Sequence, residues 1–477
     1  MKRLASWIPR SLLFVVASAL TAVTAIPAHA QSRPLTDFEQ LARDILEEMV
    51  GINTAHSEGS TLELAKAMEV RFLAAGFPRE DVEVTEVVEG EGNILVRLRG
   101  RSADRAPILA MAHIDVVEAD PADWTLPPFE LIEQGGTFYG RGVADDKDEA
   151  AAYSAILIRM KQEGYVPDRD IVVALTSDEE GGGHNGIAWL LENRPQWMDV
   201  AYALNEGGGG VVVDGVKVAN SVQASEKKFQ NFTVEATNHG GHSSRPRPDN
   251  AIYELSKALG GIGAYDFPVS LNEVTTAFFE RSAPLQDDPA VGDAMRRIAA
   301  DPGDAQAATT LSASSRYNAM MRTTCVATLL DGGHASNALP QRATANVNCR
   351  ILPDESPDDI LAQLEEAIGN AEGVTVTMEG RATDSPPSPL SDELLGPIEA
   401  LTEEMWPGVA VVPTMSTGAT DGLYLRNAGV PVYGVSGLFY GETFSHGMNE
   451  RIPVEAFYEG LEFLDQLVRR LASGGVS

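Results

Sequence analysis

The sequence predicts an α/β protein: a discontinuous α/β domain, residues 31–224 and 381–477, and an inserted ferredoxin-like α+β domain, residues 225–380. Three observations predict this. The apolar runs Ile108–Ala112, Asp170–Leu175 and Val200–Leu204 read as buried strands, and each releases a His or a carboxylate at its C-terminal end. Between Phe229 and Glu379 the periodicity runs β-α-β-β-α-β, the order of a split ferredoxin-like unit. From about Pro386 the chain returns to helix-strand-helix patterning, so the first domain resumes after the second.

Taken in order, Met1–Ala30 is a signal segment. Lys2, Arg3 and Arg10 are its positive residues, Leu12–Ala25 is apolar, and Ala28-His29-Ala30 fits a small-residue cleavage site. The apolar core is short for a membrane span, and no later stretch is longer. The expectation is an exported chain, periplasmic or secreted, with no stable membrane insertion after cleavage. Leu35–Met49 and Thr61–Ala75 have helical spacing; His56, in the loop between them, reads as a solvent-exposed residue. Val82–Val88 and Gly92–Arg99 alternate as strands. The run from Ile108 ends in His113-Ile114-Asp115. Trp124 to Phe129 reads as wall rather than chemistry. The loop from Tyr139 to Lys147 then carries Asp145 to the start of a helix over Glu149–Lys161. Gly140 and Gly142 permit close backbone approach there, and a helix N-terminus favours a carboxylate. The next two strands end in Ser177-Asp178-Glu179-Glu180-Gly181 and Asn205-Glu206-Gly207. In an open α/β sheet, that edge is where ligands bind.

In the second domain, Phe229–Asn238, Thr323–Leu330, Arg342–Ile351 and Val374–Glu379 read as strands, and Asp249–Gly261 and Ser356–Ile368 as helices. Residues 265–320, rich in Ala, Asp and Pro, are longer than an ordinary connection and are expected as an insertion in this domain. A closing helix spans roughly Pro453–Leu471, and Ala472–Ser477 is expected to fray.

The 477 residues carry a net charge of −33, and loss of the three positive leader residues gives −33 − 3 = −36. That excess disfavours nucleic acid and anionic membranes as partners. Cys325 and Cys349 each lie in a strand-like run; a disulfide and two buried thiols are the alternatives. Neither adjoins a thiolate-activating motif, and no Gly-x-Ser-x-Gly elbow supports a serine hydrolase.

A His and several carboxylates at one sheet edge suit zinc, which takes imidazole nitrogen and carboxylate oxygen; one bridging carboxylate can hold two such ions. A second His comes from Ser445-His446-Gly447-Met448-Asn449-Glu450, after the apolar run Val430–Val435. The set His113-x-Asp115, Gly140-Arg-Gly-x-x-Asp145-x-Lys147, Glu179-Glu180-Gly181, Glu206 and His446 resembles the M20 family of zinc peptidases, over nearly the whole chain. The resemblance implies two zinc ions per chain, with cobalt or manganese as alternatives. Asp145 would bridge them, with His113 and Glu206 completing one site and Glu180 and His446 the other. Asp115 would orient the His113 imidazole, and Glu179 would be the general base. The inserted domain would be the family's lid. There, His242 in a Gly-His-Ser motif would stabilise an oxyanion, and Asn337 and Arg350 would hold the substrate carboxylate. Gly418, in the loop Ser416–Asp421, matches the family's Gly-rich substrate loop. The implied activity is hydrolysis of an amide next to a free carboxylate, as a carboxypeptidase or dipeptidase. The alternative is an N-acyl-amino-acid amidohydrolase. Two lid arrangements are implied: a homodimer in which His242 reaches the partner's site, and a single chain with an enlarged lid. A catalytically dead binding protein would normally have lost a ligand or the base, and all are present.

Overall fold

Continuous apolar runs make strands that are buried on both faces, and two of them set the centre of the sheet. Ile108–His113 and Ile171–Thr176 are buried at every position and pair in parallel. The computed structural model describes residues 33–473 apart from Ala103, Gly182 and Asn370; the leader expected at Met1–Ala30 lies outside them. Alternation along the central strands feeds two cores. Ile108, Ala110, Ile171 and Val173 pack with the helices Asp37–Gly51, Lys147–Gln162 and Val454–Ala472. Leu109, Met111, Val172 and Ala174 pack with Ile187, Leu190, Trp197 and Leu425 on the other face. Helices on both faces of a mainly parallel centre make a doubly wound layer structure.

Among the described residues the large sheet has ten strands. Its parallel centre runs Ile171–Thr176, Ile108–His113, Tyr202–Asn205 and Val432–Gly434, so the ends of the first three strands open on one edge. An antiparallel flank, Glu91–Leu98 and Val82–Val88, closes one side. Val216–Glu226 and Ala410–Ser416, paired in parallel, extend the other.

The second sheet is the expected ferredoxin-like unit. Its order is Thr324–Gly332, Arg342–Ile351, Lys228–Thr237, Val374–Glu379, all antiparallel. The helices Ala251–Ala264 and Pro357–Ile368 bury Leu255, Ile262, Ile360 and Leu364 against it. Cys325 faces Cys349 across two strands, and the pair is a disulfide, which settles the alternative left open above. The chain passes between the sheets at Glu226-Lys227-Lys228. There the Lys227 ammonium donates to the Arg322 carbonyl at 2.7 Å, and Ser385 returns a hydroxyl to Glu226 at 3.0 Å.

Residues 265–320 differ from their expected place. They form the helices Glu273–Ser282, Pro289–Ala300, Ala305–Ser312 and, running on to Met321, Ser315–Met321. Their apolar side chains, Phe278, Phe279, Met295, Ile298 and Leu311, pack on Val412 and Met415 of the large sheet, not on the smaller one. The reason is burial: the strand Ala410–Ser416 has an apolar face that these helices cover. The end of the closing helix also differs slightly, reaching Ala472 with Ser473 as its cap.

A disulfide closing a loop of this size contributes on the order of 2–4 kcal/mol. Replacing both Cys325 and Cys349 by Ser is expected to lower thermal stability accordingly, read as a reduced melting temperature under non-reducing conditions. Free thiols should be detected in the denatured wild type only after reduction.

Candidate metal centre

His113 is the last residue of its strand and lies at the open sheet edge. Its Nδ1 donates to the Asp115 carbonyl at 3.0 Å, which turns Nε2 outward to Asp145 Oδ1 at 2.9 Å. The orienting atom is therefore the Asp115 backbone oxygen, while the Asp115 carboxylate lies 3.7 Å from the ring nitrogen. That carboxylate has a different task. It accepts the backbone N–H of Glu179 at 3.1 Å and of Glu180 at 2.9 Å, fixing the turn that follows the strand Ile171–Thr176.

The Asp145 loop is folded around Glu450. One Glu450 oxygen accepts the N–H of Gly142 at 3.1 Å and of Ala144 at 2.9 Å; the other pairs with Arg141 Nη1 at 2.6 Å. Both partners of that pair are almost fully buried. Gly142 has φ +89°, and a Cβ there would sit 2.8 Å from the Lys147 side chain. Lys147 in turn donates to the carbonyls of Met49 and Ile52 at the end of the first helix, and burial pushes its pKa down to about 7. Arg141 also donates to the Gly447 carbonyl, so one buried ion pair ties the Asp145 loop to the His446 loop. His446 itself has φ +61°, a left-handed conformation uncommon outside glycine.

These loops bring the five expected ligands together. Asp145 gives Oδ1 to His113 and Oδ2 to His446, the latter at 3.2 Å, and His446 Nε2 is 2.8 Å from Glu180 Oε1. His113, Asp145 and Glu180 place donor atoms within 4.8 Å of one another, and so do His113, Glu179 and Glu206. The charges are strongly displaced. Burial opposes the charge of His113, but hydrogen bonds to Asp115 and Asp145 prevail and hold its pKa well above the usual value. The hydrogen bond that His446 donates to Asp145 raises its pKa to about 9. Burial acts against ionised Asp145, yet the two histidines hold it below the carboxylate range. Burial, with Glu206 and Asp421 adding repulsion, pushes Glu179 up to about 10, and burial also lifts Glu206 well above its ordinary value. Two imidazoles and several carboxylates, pointed at one another and crowded with negative charge, are the donor chemistry of divalent cations. The residues present fit such ions.

The lid-domain residues lie elsewhere. His242 sits in the short pairing Gly241–His242 with Ala338–Leu339, and Asn337 accepts the Ser243 N–H beside it. The Arg350 guanidinium stacks over Phe229, 4.8 Å from the ring centre. None of the three lines the cavities around the cluster. Gly418 is in the expected loop, whose neighbours Ser416, Thr417, Ala419 and Thr420 line a cavity of about 480 Å³ with Asp145, Glu179 and Glu206. Sequence reading missed Arg316 and Met320, which line that same cavity from the helix Ser315–Met321. It also missed Glu450, whose signal was its place four residues after His446, and Asp421. Asp421 is buried behind Glu179, accepts the Thr176 hydroxyl at 2.9 Å, and is lifted by burial to about 6.

The description Peptidase family M20/M25/M40 matches residues 109–470. The chain belongs to this family. A Xenopus tropicalis N-fatty-acyl-amino acid synthase/hydrolase is 30% identical over 405 residues, covering 80% of this chain and 76% of that one. Its human counterpart is 28% identical over 409 residues, covering 80% and 78%. The fold matches a solved M20 family metallo-carboxypeptidase of Sulfolobus solfataricus with TM-score 0.68 and 17% identity, covering 90% of this chain and 99% of that one. This M20 chain is an enzyme, a metallopeptidase-type hydrolase, and it cleaves amide bonds.

Removing one partner of a buried ion pair costs about 3–5 kcal/mol. Glu450→Ala in this M20 enzyme is expected to lower its unfolding free energy by that amount, read as a lower urea midpoint at unchanged denaturant slope, and to lower its metal content. An unchanged midpoint would show that the Arg141 pair does not hold the loops.

Proposed function

We propose that the chain is an exported, two-zinc exopeptidase that cleaves the amide next to a free carboxylate in dipeptides or at peptide C-termini. The observation that carries the reading is Asp145, which turns one carboxylate oxygen to each of two histidines, one at a strand end and one in a loop near the C-terminus. His113, Glu206, Glu180 and His446 would hold the ions together with Asp145; cobalt and manganese suit the same donors. Bound divalent cations supply Lewis acidity and lower the pKa of water. Glu179, beside His113 and Glu206, would act in its carboxylate form, which the positive charge of bound cations would favour against the burial and repulsion that raise it, taking the proton of the attacking water and delivering it to the leaving nitrogen. The disulfide supports an oxidising compartment, and hence cleavage of the leader. Among the described residues no helix is long and apolar enough to cross a membrane.

A second reading is hydrolysis of N-acyl amino acids. It is favoured by the likeness to the N-fatty-acyl-amino acid hydrolases and by Met320 and Met415 in the cavity wall. A panel of dipeptides, N-acetyl amino acids and long-chain N-acyl amino acids separates the two. Glu179→Gln should keep its metal and lose kcat about 10²–10⁴-fold on whichever class the wild type prefers. Retention of more than about a tenth of kcat would move the base elsewhere.

The lid residues His242, Asn337 and Arg350 act on substrate once the smaller sheet and its two helices, without the helices of 273–321 that stay on the large sheet, swing about the Glu226–Lys228 crossing, or when a partner's lid supplies them. The edge strand Thr324–Gly332 supports a homodimer: it exposes Val326, Leu329 and Leu330, and the neighbouring helix exposes Tyr253. Mixing tests this. His242→Ala and Glu179→Gln are each expected to be nearly inactive, and co-refolded heterodimers should regain part of the activity if His242 works across the interface. A mixture that stays dead with heterodimers present assigns His242 to its own chain.

A further inference from the structure

Beside the cluster lies a second cavity of about 440 Å³, on the far side of Glu180 and His446. It is lined by three groups that no step above uses: His56, Glu91 and Asp178. They come from separate places: the loop after the first helix, the start of the strand Glu91–Leu98, and the turn before Glu179. Their donor atoms nevertheless lie within 4.8 Å of one another. His56 Nδ1 is 3.3 Å from Glu91 Oε1.

Asp178 is the telling member. The residue is only 3% exposed. Oδ2 accepts two backbone N–H groups, from Gly183 and His184, which locks the carboxylate's direction. Oδ1 has no hydrogen-bond partner among the described residues, and neither does Glu91 Oε2. A Cβ built on Gly181 would meet Asp178 Oδ1 at 2.3 Å and His56 Nδ1 at 3.3 Å, so both atoms face one point above that glycine. A buried, unpartnered carboxylate oxygen is costly. Here it is held in place, opposite an imidazole and a second carboxylate.

We propose that His56, Glu91 and Asp178 form an additional site for a divalent transition cation, separate from the Asp145 cluster. An imidazole nitrogen with two carboxylates suits zinc, cobalt or manganese better than calcium or magnesium, which prefer all-oxygen shells. A substrate ammonium group is less suited, because one of the three ligand atoms is an imidazole nitrogen rather than a carboxylate oxygen. The ion would clamp the His56 loop to the turn that carries Glu179 and Glu180, so its occupancy would stiffen the catalytic carboxylates without touching substrate.

The test is metal counting on the full-length protein after loading with excess Zn²⁺ and removal of free ion. His56→Ala and Glu91→Gln are each expected to hold one ion fewer than wild type; His446→Ala should lose metal from the other cluster and keep this one. Because the readout is a difference between proteins, it stands whether the Asp145 cluster holds one ion or two. With Co²⁺ in place of Zn²⁺, the difference should appear as a lost absorption component. The melting temperature of wild type should rise at a Zn²⁺ step that both variants lack. Equal metal content and equal Zn²⁺-dependent melting in wild type and both variants overturn the site. A KM increase confined to substrates with a free amine, with unchanged metal content, would reassign the three groups to ammonium binding.

Discussion

The structure turns on the concentration of negative charge at one sheet edge. Asp115, Asp145, Glu179, Glu180, Glu206 and Asp421 gather around only two imidazoles. Carboxylates so placed repel one another and resist burial. Their positions are therefore imposed by the scaffold around them. Strand ends supply His113 and Glu206, backbone N–H groups are pinned by Asp115, and the Arg141–Glu450 pair grips two loops from opposite ends of the chain. The fixed donors come first, and cation affinity follows from them.

What could be read in the sequence follows from how local each signal is. His113, Asp145, Glu180 and Glu206 were legible because each sits where an apolar strand or a Gly-bracketed loop ends. The lid's β-α-β-β-α-β order was legible for the same reason: alternation and helical spacing are local patterns. His446 was found by asking for a second imidazole in a chain with eight histidines. Asp421 and Arg316 were not legible, and Glu450 left only its place four residues after His446, because their roles depend on approaches between segments up to 309 residues apart. His56 shows the limit well. As a loop residue it reads as solvent-facing, and its side chain is indeed mostly exposed; only folding sets Glu91 and Asp178 beside it.

The insertion at 265–320 is the instructive miss. Its place in the chain, between the first helix and second strand of the small domain, suggested an enlarged lid. Its apolar faces instead match the uncovered strand Ala410–Ser416, and the large sheet claims it. As a result, Arg316 and Met320 enter the cavity beside Glu179 as fixed wall, while Arg350 belongs to the small sheet and His242 to a separate two-stranded ladder of the smaller domain. In the function proposed, substrate selection would be divided between a wall that stays with the expected metal ligands and groups that must be brought to them.

The strand Val432–Gly434 lies between Tyr202–Asn205 and Val216–Glu226, at the heart of the large sheet. The chain makes that strand last among the central ones, after the whole smaller domain. During synthesis the small sheet, whose strands all lie between Lys228 and Glu379, can complete itself first, whereas the large sheet keeps an open slot with unpaired backbone on both sides. Closing it demands contacts across more than two hundred residues, the slow kind of step in folding. A chain stopped short of residue 432 would thus expose two sticky strand edges, and it would be a poor substrate for anything except a chaperone or a protease.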